Sequence, residues 1–300
     1  MNIALCFCVR NCEPYLNYIF NNINRLKTNN ITIFSIFIYD NCTDNTNNIL
    51  KYYQSKNKNV IIRNIKNTSK YRTVRIATAR NECLNIVYNE LNNIHYHIAI
   101  DCDSVNIMPW NVNLIHSYLN NFDNDDWDSI SFNRPDFYDI WALLFDNYKH
   151  HCWGFGNDSP TIVINMKKDI INKIKHSTSN SIDVLSAFNG FCIYKTKQFK
   201  NCYYDGLYSN VKQLITPEER IQTLNYIKQY NINASINDKC IECCEHIFYH
   251  LLAIKQGCKN KISKYNLFIH QTYIEEPPLY VQSKIDMKYI VFNKSNKKLI

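Results

Sequence analysis

The stretch His97-Ile98-Ala99-Ile100-Asp101-Cys102-Asp103-Ser104 decides the reading of this chain. A short apolar run of strand type stops on two carboxylates two residues apart. Alternate residues of an extended chain share a face, so Asp101 and Asp103 can both reach one ion. Hard oxygen ligands of this kind suit Mg²⁺ or Mn²⁺, and such a cation also holds a diphosphate. The plain alternative is a turn with two solvated acids, because Asp-x-Asp alone is common. Position argues against it: the pair closes the fourth of four strands.

Upstream, Ile3 to Val9 reads as the first strand and stops at Arg10-Asn11. Leu16, Ile19, Phe20, Ile23 and Leu26 then recur at helical spacing. Ile31 to Tyr39 is a second strand, closed by Asp40-Asn41-Cys42-Thr43-Asp44, with a helix following through Tyr53. Asn59 to Ile65 is a third strand, and Tyr71 to Leu91 the clearest helix. Strands alternating with helices indicate βαβ units and a parallel sheet, which binds ligands beyond the carboxyl ends of its strands. The expected architecture is therefore α/β, with a Rossmann-like half and a mainly parallel central sheet.

Beyond Ser104 the pattern is less regular. Asp128–Phe132 and Thr161–Met166 read as strands, Ala187–Tyr194 as another interrupted at Asn189-Gly190, Cys243–Ile254 as a helix, and Asn266–His270 as a late strand. No linker, repeat or low-complexity boundary appears. The expectation is one domain over 1–300, a ligand-binding half at 1–104 and an acceptor half at 105–300.

Composition excludes several classes. With 46% hydrophobic and 20% charged residues the chain is not disordered, and five Gly with seven Pro exclude collagen-like sequence. No run approaches the roughly 18 apolar residues of a membrane span. The opening MNIALCFCVRNCEPYL lacks the basic start and apolar core of an export signal, so a cytoplasmic location is expected. The thirteen Cys are odd in number and scattered through apolar contexts, as expected of reduced thiols packed as small hydrophobes. The 44 Asn, with many Ile, Lys and Tyr, read as the base composition of an AT-rich genome such as that of a parasite, bacterium or large DNA virus. The net charge of +8 comes mostly from dispersed Lys, and no basic stripe interleaved with aromatics is visible, so nucleic acid is not an expected partner.

Only eight Arg occur, and Arg72, Arg75 and Arg80 lie within nine residues that open a helix. A helix N-terminus with guanidinium groups makes an anion site; the alternative is pairing with Glu82 and Glu90. Arg10-Asn11 and Asp40-Asn41, at adjacent strand ends, are placed to hydrogen-bond a base and ribose. Cys240, Cys243, Cys244, His246 and His250 suggest zinc, but a second pair at clean spacing is missing. His246 as an extra ligand to the Asp-bound cation is the better use. Among the aromatics between Phe137 and Phe155, Trp141 and Trp153 are the candidates for stacking on sugars.

Taken in order, a strand ending Val-Arg-Asn, a strand ending Tyr-Asp-Asn, the helix segment Arg-x-x-x-Ala-Arg-Asn and the closing Asp-x-Asp resemble a GT-A glycosyltransferase. Ser186 to Phe191 and Cys244-Glu245-His246 are similar to family-2-like and fungal capsule-type mannosyltransferases. The resemblance implies a nucleotide-sugar donor, a hydroxyl acceptor on a glycan or protein, and Mn²⁺ or Mg²⁺. It implies Asp40 at the base or ribose, Arg80 near the diphosphate, Asp101 and Asp103 on metal and donor, and Asn189-Gly190 at the sugar. An inverting reaction needs a proton acceptor; Glu245 is the first choice, with Asp183 and Asp205 as alternatives. The rival classes are a sugar-nucleotidyltransferase, disfavoured because no Gly precedes Gly154, and a carbohydrate- or nucleic-acid-binding module.

Overall fold

The computed structural model describes residues 1–120 and 126–269, with two short strands at 280–282 and 289–291. The first half runs β1 (Asn2–Val9), α1 (Leu16–Leu26), β2 (Thr32–Tyr39), α2 (Thr46–Lys56), β3 (Val60–Asn64), α3 (Arg72–Asn85) and β4 (Ile94–Asp101). The second runs α4 (Val112–Leu119), β5 (Ser129–Asn133), α5 (Ser159–His176), β6 (Ser181–Val184), β7 (Phe191–Lys195), the single turn α6 (Tyr208–Val211), α7 (Pro217–Lys228), α8 (Glu245–Lys255) and β8 (Asn260–Asn266).

One eight-stranded sheet in the order β3-β2-β1-β4-β7-β5-β8-β6 spans both halves. The pairs β1–β2, β1–β4, β2–β3 and β5–β8 are parallel. Strand β7 is antiparallel to β4 and β5, and β6 is antiparallel to β8. Hence β1–β5 and β8 point one way, and only β6 and β7 oppose them. The fold is the expected α/β arrangement with a mainly parallel central sheet.

The two faces of β1 show how sequence sets the layers. Ile3, Leu5, Phe7 and Val9 enter one core with α1 and α2, where Phe7 stacks on Phe37 at 4.6 Å. Ala4 and Cys6 enter another with Ala79 and Cys83 of α3. Small residues on both sides let α3 lie close to the sheet. This is where several cysteines go, and all thirteen are unpaired. No helix among the described residues is long and apolar enough to cross a membrane.

Two elements differ from expectation. Thr161–Met166 belongs to the helix α5, whose buried Ile162, Val163, Met166, Ile170, Ile171 and Ile174 keep helical spacing for four turns. Six residues are too few to show the helical period, which continues past Lys167, itself buried. The late strand is Asn260–Asn266, which is rich in Lys, Ser and Asn and lacks an apolar run; His270 lies outside the described residues.

The strand polarity brings Arg10, Asp40, Asp101 and Arg134, just beyond their strands or at the last residue, to one edge of the sheet, with Asn189-Gly190 entering β7 there. Helix α3 is fixed over this edge from its N-terminus. Thr73 Oγ1 donates to Gly206 O at 2.8 Å, and a Cβ on Gly206 would lie 2.3 Å from the Thr73 carbonyl carbon. Gly206→Ala is expected to destabilise by on the order of 1–3 kcal/mol through this overpacking. Thermal unfolding checks it: an unchanged melting temperature would mean that the contact does not position α3.

Candidate active site

Arg80 lies on the buried face of α3, two turns in from its start, with its side chain 6% exposed. Nε donates to Glu245 Oε1 at 2.9 Å and Nη2 to Asp101 Oδ1 at 3.1 Å. The guanidinium carbon lies 4.7 Å from the Phe188 ring centroid and 5.8 Å from that of Tyr204. A planar fork is required to serve two carboxylates from between two rings, which lysine cannot do. Two acids against one base leave this network with a net negative charge. Glu245 is the first residue of α8, where the helix dipole favours a carboxylate. Tyr138 Oη donates to the second oxygen of Asp101 at 2.7 Å. Burial pushes the Tyr138 hydroxyl well above its ordinary pKa, so it stays a donor.

Beyond β4 the chain turns sharply. Val105 N donates to Asp103 Oδ1 at 3.1 Å, which caps a single turn over Ser104–Asn106. Asn106 Nδ2 donates to Asp101 O and Gly190 O, at 2.9 and 2.8 Å. Asp101 N also donates to Gly190 O, at 3.0 Å. The Asp-x-Asp turn and the Asn189-Gly190 turn are thereby one unit. Asn189 (φ 52°) and Gly190 (φ 83°) are consecutive left-handed residues. Asn189 Oδ1 accepts from Asp139 N at 3.2 Å, and its Nδ2 donates to Phe132 O at 3.0 Å.

Asp139 was not among the sequence candidates. It is buried, and Ala142 N donates to its Oδ1 at 3.3 Å. Burial first, then the charges of Asp101 and Glu245, push its carboxyl up to about 7. Arg134, Tyr138 and Asp139 follow β5 in Asn133-Arg134-Pro135-Asp136-Phe137-Tyr138-Asp139. That segment is another polar strand end, the signal that marked β1, β2 and β4.

The remaining candidates fall in several places. Asn11 is taken up in a clasp of strand ends: Nδ2 donates to Thr43 Oγ1 at 3.1 Å, and Oδ1 accepts from Thr43 N at 2.8 Å. Asp40 is buried with Oδ1 unpartnered; Arg10 and Asn41 flank it and are exposed. The anion at the N-terminus of α3 is supplied by the chain itself: Glu242 Oε1 accepts from Thr73 N at 2.9 Å. Arg72 is exposed, and Arg75 donates to the carbonyls of Ser69 and Lys70. Only Arg80 of the three therefore meets Asp101, and the nearby Glu82 and Glu90 are both held by Arg63.

The structure places five other sequence candidates as follows. Asp183 sits on β6, the far edge of the sheet, with its side chain 85% exposed and Lys261 3.5 Å away. It is four strands from β4, roughly 19 Å at normal strand spacing. It lines a cavity of about 580 Å³ at the opposite end of the strands, with Asp126, Lys149 and Lys259. Asp205 is spent on Leu207 N and Asn210 Nδ2, at 2.8 and 2.7 Å. His246 is 1% exposed and stacked on Phe188 at 3.8 Å, with Nδ1 3.4 Å from Tyr194 Oη. Burial, then Arg80, holds it well below the ordinary histidine pKa, and it packs as a core group among Phe188, Tyr194 and Tyr204. Trp141 is buried in the core, and Trp153 packs against it at 6.4 Å; sequence cannot distinguish a core indole from a binding one. Among the described residues no three His, Cys, Asp or Glu are grouped to hold a metal ion, the cysteine-histidine cluster included. A cation bound here would rest on one or two carboxylates plus ligand phosphates, the usual Mg²⁺ arrangement. The Asp103 and Asp101 oxygens fit that chemistry.

No protein-family profile matches the chain, and no curated protein does. Among solved structures it is similar to residues 1–349 of S. aureus TarS, at 14% identity and TM-score 0.42, over 81% of this chain and 60% of that one. The same protein in complex with UDP-GlcNAc matches at TM-score 0.41, over 58% of its length. The mannosyltransferase PcManGT from Pyrobaculum calidifontis, in complex with GDP-Man and Mn²⁺, matches at 11% identity and TM-score 0.39, over 68% of this chain and 47% of that one.

Two outcomes follow from the buried charges. The raised Asp139 pKa means that the native state holds a proton the unfolded chain releases near 4. Its burial therefore costs nothing below pH 4 and most above pH 7, so stability falls between those limits. Asp139→Asn should flatten that fall and raise stability at pH 8 by on the order of 1–4 kcal/mol. Urea melts at pH 4.5 and 8 measure it, and an unaltered pH slope would refute it. Arg80→Met should cost about 3–5 kcal/mol, because it strands Glu245. The double variant with Glu245→Gln should recover much of that loss in the same melts, and strict additivity would disprove the coupling.

Proposed function

We propose that the chain is a metal-dependent glycosyltransferase, moving a sugar from a UDP- or GDP-sugar to a hydroxyl of a glycan or protein. The observation that carries this reading is the bridge from Asp101 of the Asp-x-Asp through Arg80 to Glu245, at the carboxyl edge of a mainly parallel sheet. It joins the acid that ends β4 to the acid that opens α8, and so brings two carboxylates to one edge of the sheet.

In this reading Asp40 and Asn41 take the base and ribose, and Asn189-Gly190 line the sugar. Asp103, with Asp101 behind it, would hold Mn²⁺ or Mg²⁺, which when bound neutralises the leaving diphosphate. In a single displacement the acceptor oxygen bonds to the anomeric carbon as the carbon–phosphate oxygen bond breaks. The bond's electrons leave with the diphosphate, and the hydroxyl proton passes to a carboxylate. Glu245 is the proton acceptor: Arg80 donates to its Oε1 and fixes its orientation, and Oε2 is the oxygen that would take the proton. A second assignment, Asp139, is favoured by its pKa of about 7, close to the working range of a general base.

The test is a panel of UDP- and GDP-sugars with Mn²⁺, read by hydrolysis and by melting temperature. A donor at a hundred times its Kd stabilises by about 2.7 kcal/mol, a shift of several degrees. Asp103→Ala should abolish the metal-dependent shift and leave the ligand-free melting temperature near that of the wild type. Absence of any response across the panel would reject the assignment. Once a donor is found, Glu245→Gln and Asp139→Asn separate the two bases: the true one loses about 10²–10⁴ in kcat with donor affinity kept.

A further inference from the structure

Arg134 lies just beyond β5 and is 8% exposed. Its Nη2 donates to Val105 O at 2.7 Å and its Nη1 to Asn189 O at 3.4 Å. The rings of Tyr138 and Phe268 cover the guanidinium at 5.2 and 4.7 Å. Nε is buried and has no partner. Both acceptors are neutral carbonyls. Arg80, equally buried, has two carboxylates, and so has the more exposed Arg63. Among the described residues no carboxylate pairs with Arg134. Burial lowers its pKa, yet arginine stays charged in proteins. The chain thus carries a positive charge inside that no carboxylate hydrogen-bonds; Asp136, Asp101 and Asp103 act on it only through space, which leaves part of that charge unanswered.

The location suggests what answers it. Val105, whose carbonyl Arg134 holds, donates its N–H to Asp103. Asn189, the other acceptor, begins the turn tied to Asp101 through Gly190. A Cβ on Gly190 would lie 3.1 Å from Arg134 Nη1, so the charge sits directly behind that turn. Arg134 therefore underlies both turns of the site. Asp101 and Asp103 would repel a phosphate there; Arg80 is already paired with Asp101 and Glu245, and Arg134 adds a second positive charge behind the turns.

We propose that Arg134 is the counter-charge for an anionic group of the ligand, namely the diphosphate of the donor, an inference that rests on the function proposed above. The neutral carbonyls hold the guanidinium in place without pairing its charge. The residue is a further donor-site group on a segment that the resemblance did not mark.

Calorimetric titration of the wild type, Arg134→Gln and Arg134→Lys with UDP, GDP, uridine and guanosine in Mn²⁺, and with inorganic pyrophosphate, tests it. Arg134→Gln should weaken diphosphate binding about 10- to 100-fold and leave nucleoside binding unchanged. Arg134→Lys keeps the charge without the fork and should stay within several-fold of the wild type for diphosphates, which also covers a Gln variant that does not fold. Wild-type diphosphate affinity in Arg134→Gln overturns the proposal. So do equal losses of nucleoside and diphosphate in both variants, which would make Arg134 a brace alone. If the wild type binds no nucleotide or nucleoside, the donor reading fails, and pyrophosphate decides Arg134 separately. Wild-type pyrophosphate binding that Arg134→Gln loses supports the counter-charge; absent or unchanged binding refutes it.

Discussion

Everything at the sheet's carboxyl edge depends on one guanidinium out of water. Arg80 reaches from α3 to the last residue of β4 and the first residue of α8, elements 165 residues apart at their extremes. Its position is possible only because Ala77 and Ala79 beside it, and Ala4 and Cys6 beneath, bring α3 close to the strands. A larger residue at any of these would lift the helix and open the ion pairs to water. Buried pairs of this kind contribute little net stability, but breaking one leaves an unpaired charge inside. The network thus acts as a register device. It forces the β4 end and the α8 start into one arrangement and penalises alternatives heavily.

The same edge separates its titrating groups by environment. Glu245 and Asp101 have a cation between them, whereas Asp139 has backbone donors and like-charged neighbours. Here the division arises from where two strand-end turns cross. The Asn189-Gly190 turn holds Asp139 by its backbone and Asp101 by its own, so neither acid can move without the other.

The first half of this arrangement was legible because a parallel strand buried on both faces writes itself as an apolar run ending in polar residues. β1, β2 and β4 did so, which made the Asp-x-Asp visible at the end of β4, where the structure sets Arg80 against Asp101. The second half resisted for physical reasons. Antiparallel and edge strands such as β6 and β8 mix Ser, Lys and Asp into short segments. The apolar half-turns of α5 look like a strand when read six residues at a time. Acids can be shortlisted by type, but their neighbours decide their use. Asp183 fell on a remote edge and Asp205 on a turn, whereas Asp139, hidden among aromatics, came to the centre.

Composition reaches the site by another route. Five Gly in 300 residues cannot supply the left-handed turns that a sheet of eight strands needs. Asparagine does so instead: of seven described non-glycine residues with positive φ, Asn11, Asn41, Asn93, Asn189 and Asn231 are Asn. Asn tolerates that region better than other residues with a Cβ, because its short amide can bond locally. Asn11, Asn41 and Asn189 stand where β1 and β2 end and just before β7 begins. Asn11 and Asn189 also use their amides to hold neighbouring turns, which glycine could not do. The abundance of Asn thus supplies turn chemistry at the carboxyl edge of the sheet. It also explains how the sheet can close its first loop with no glycine at all.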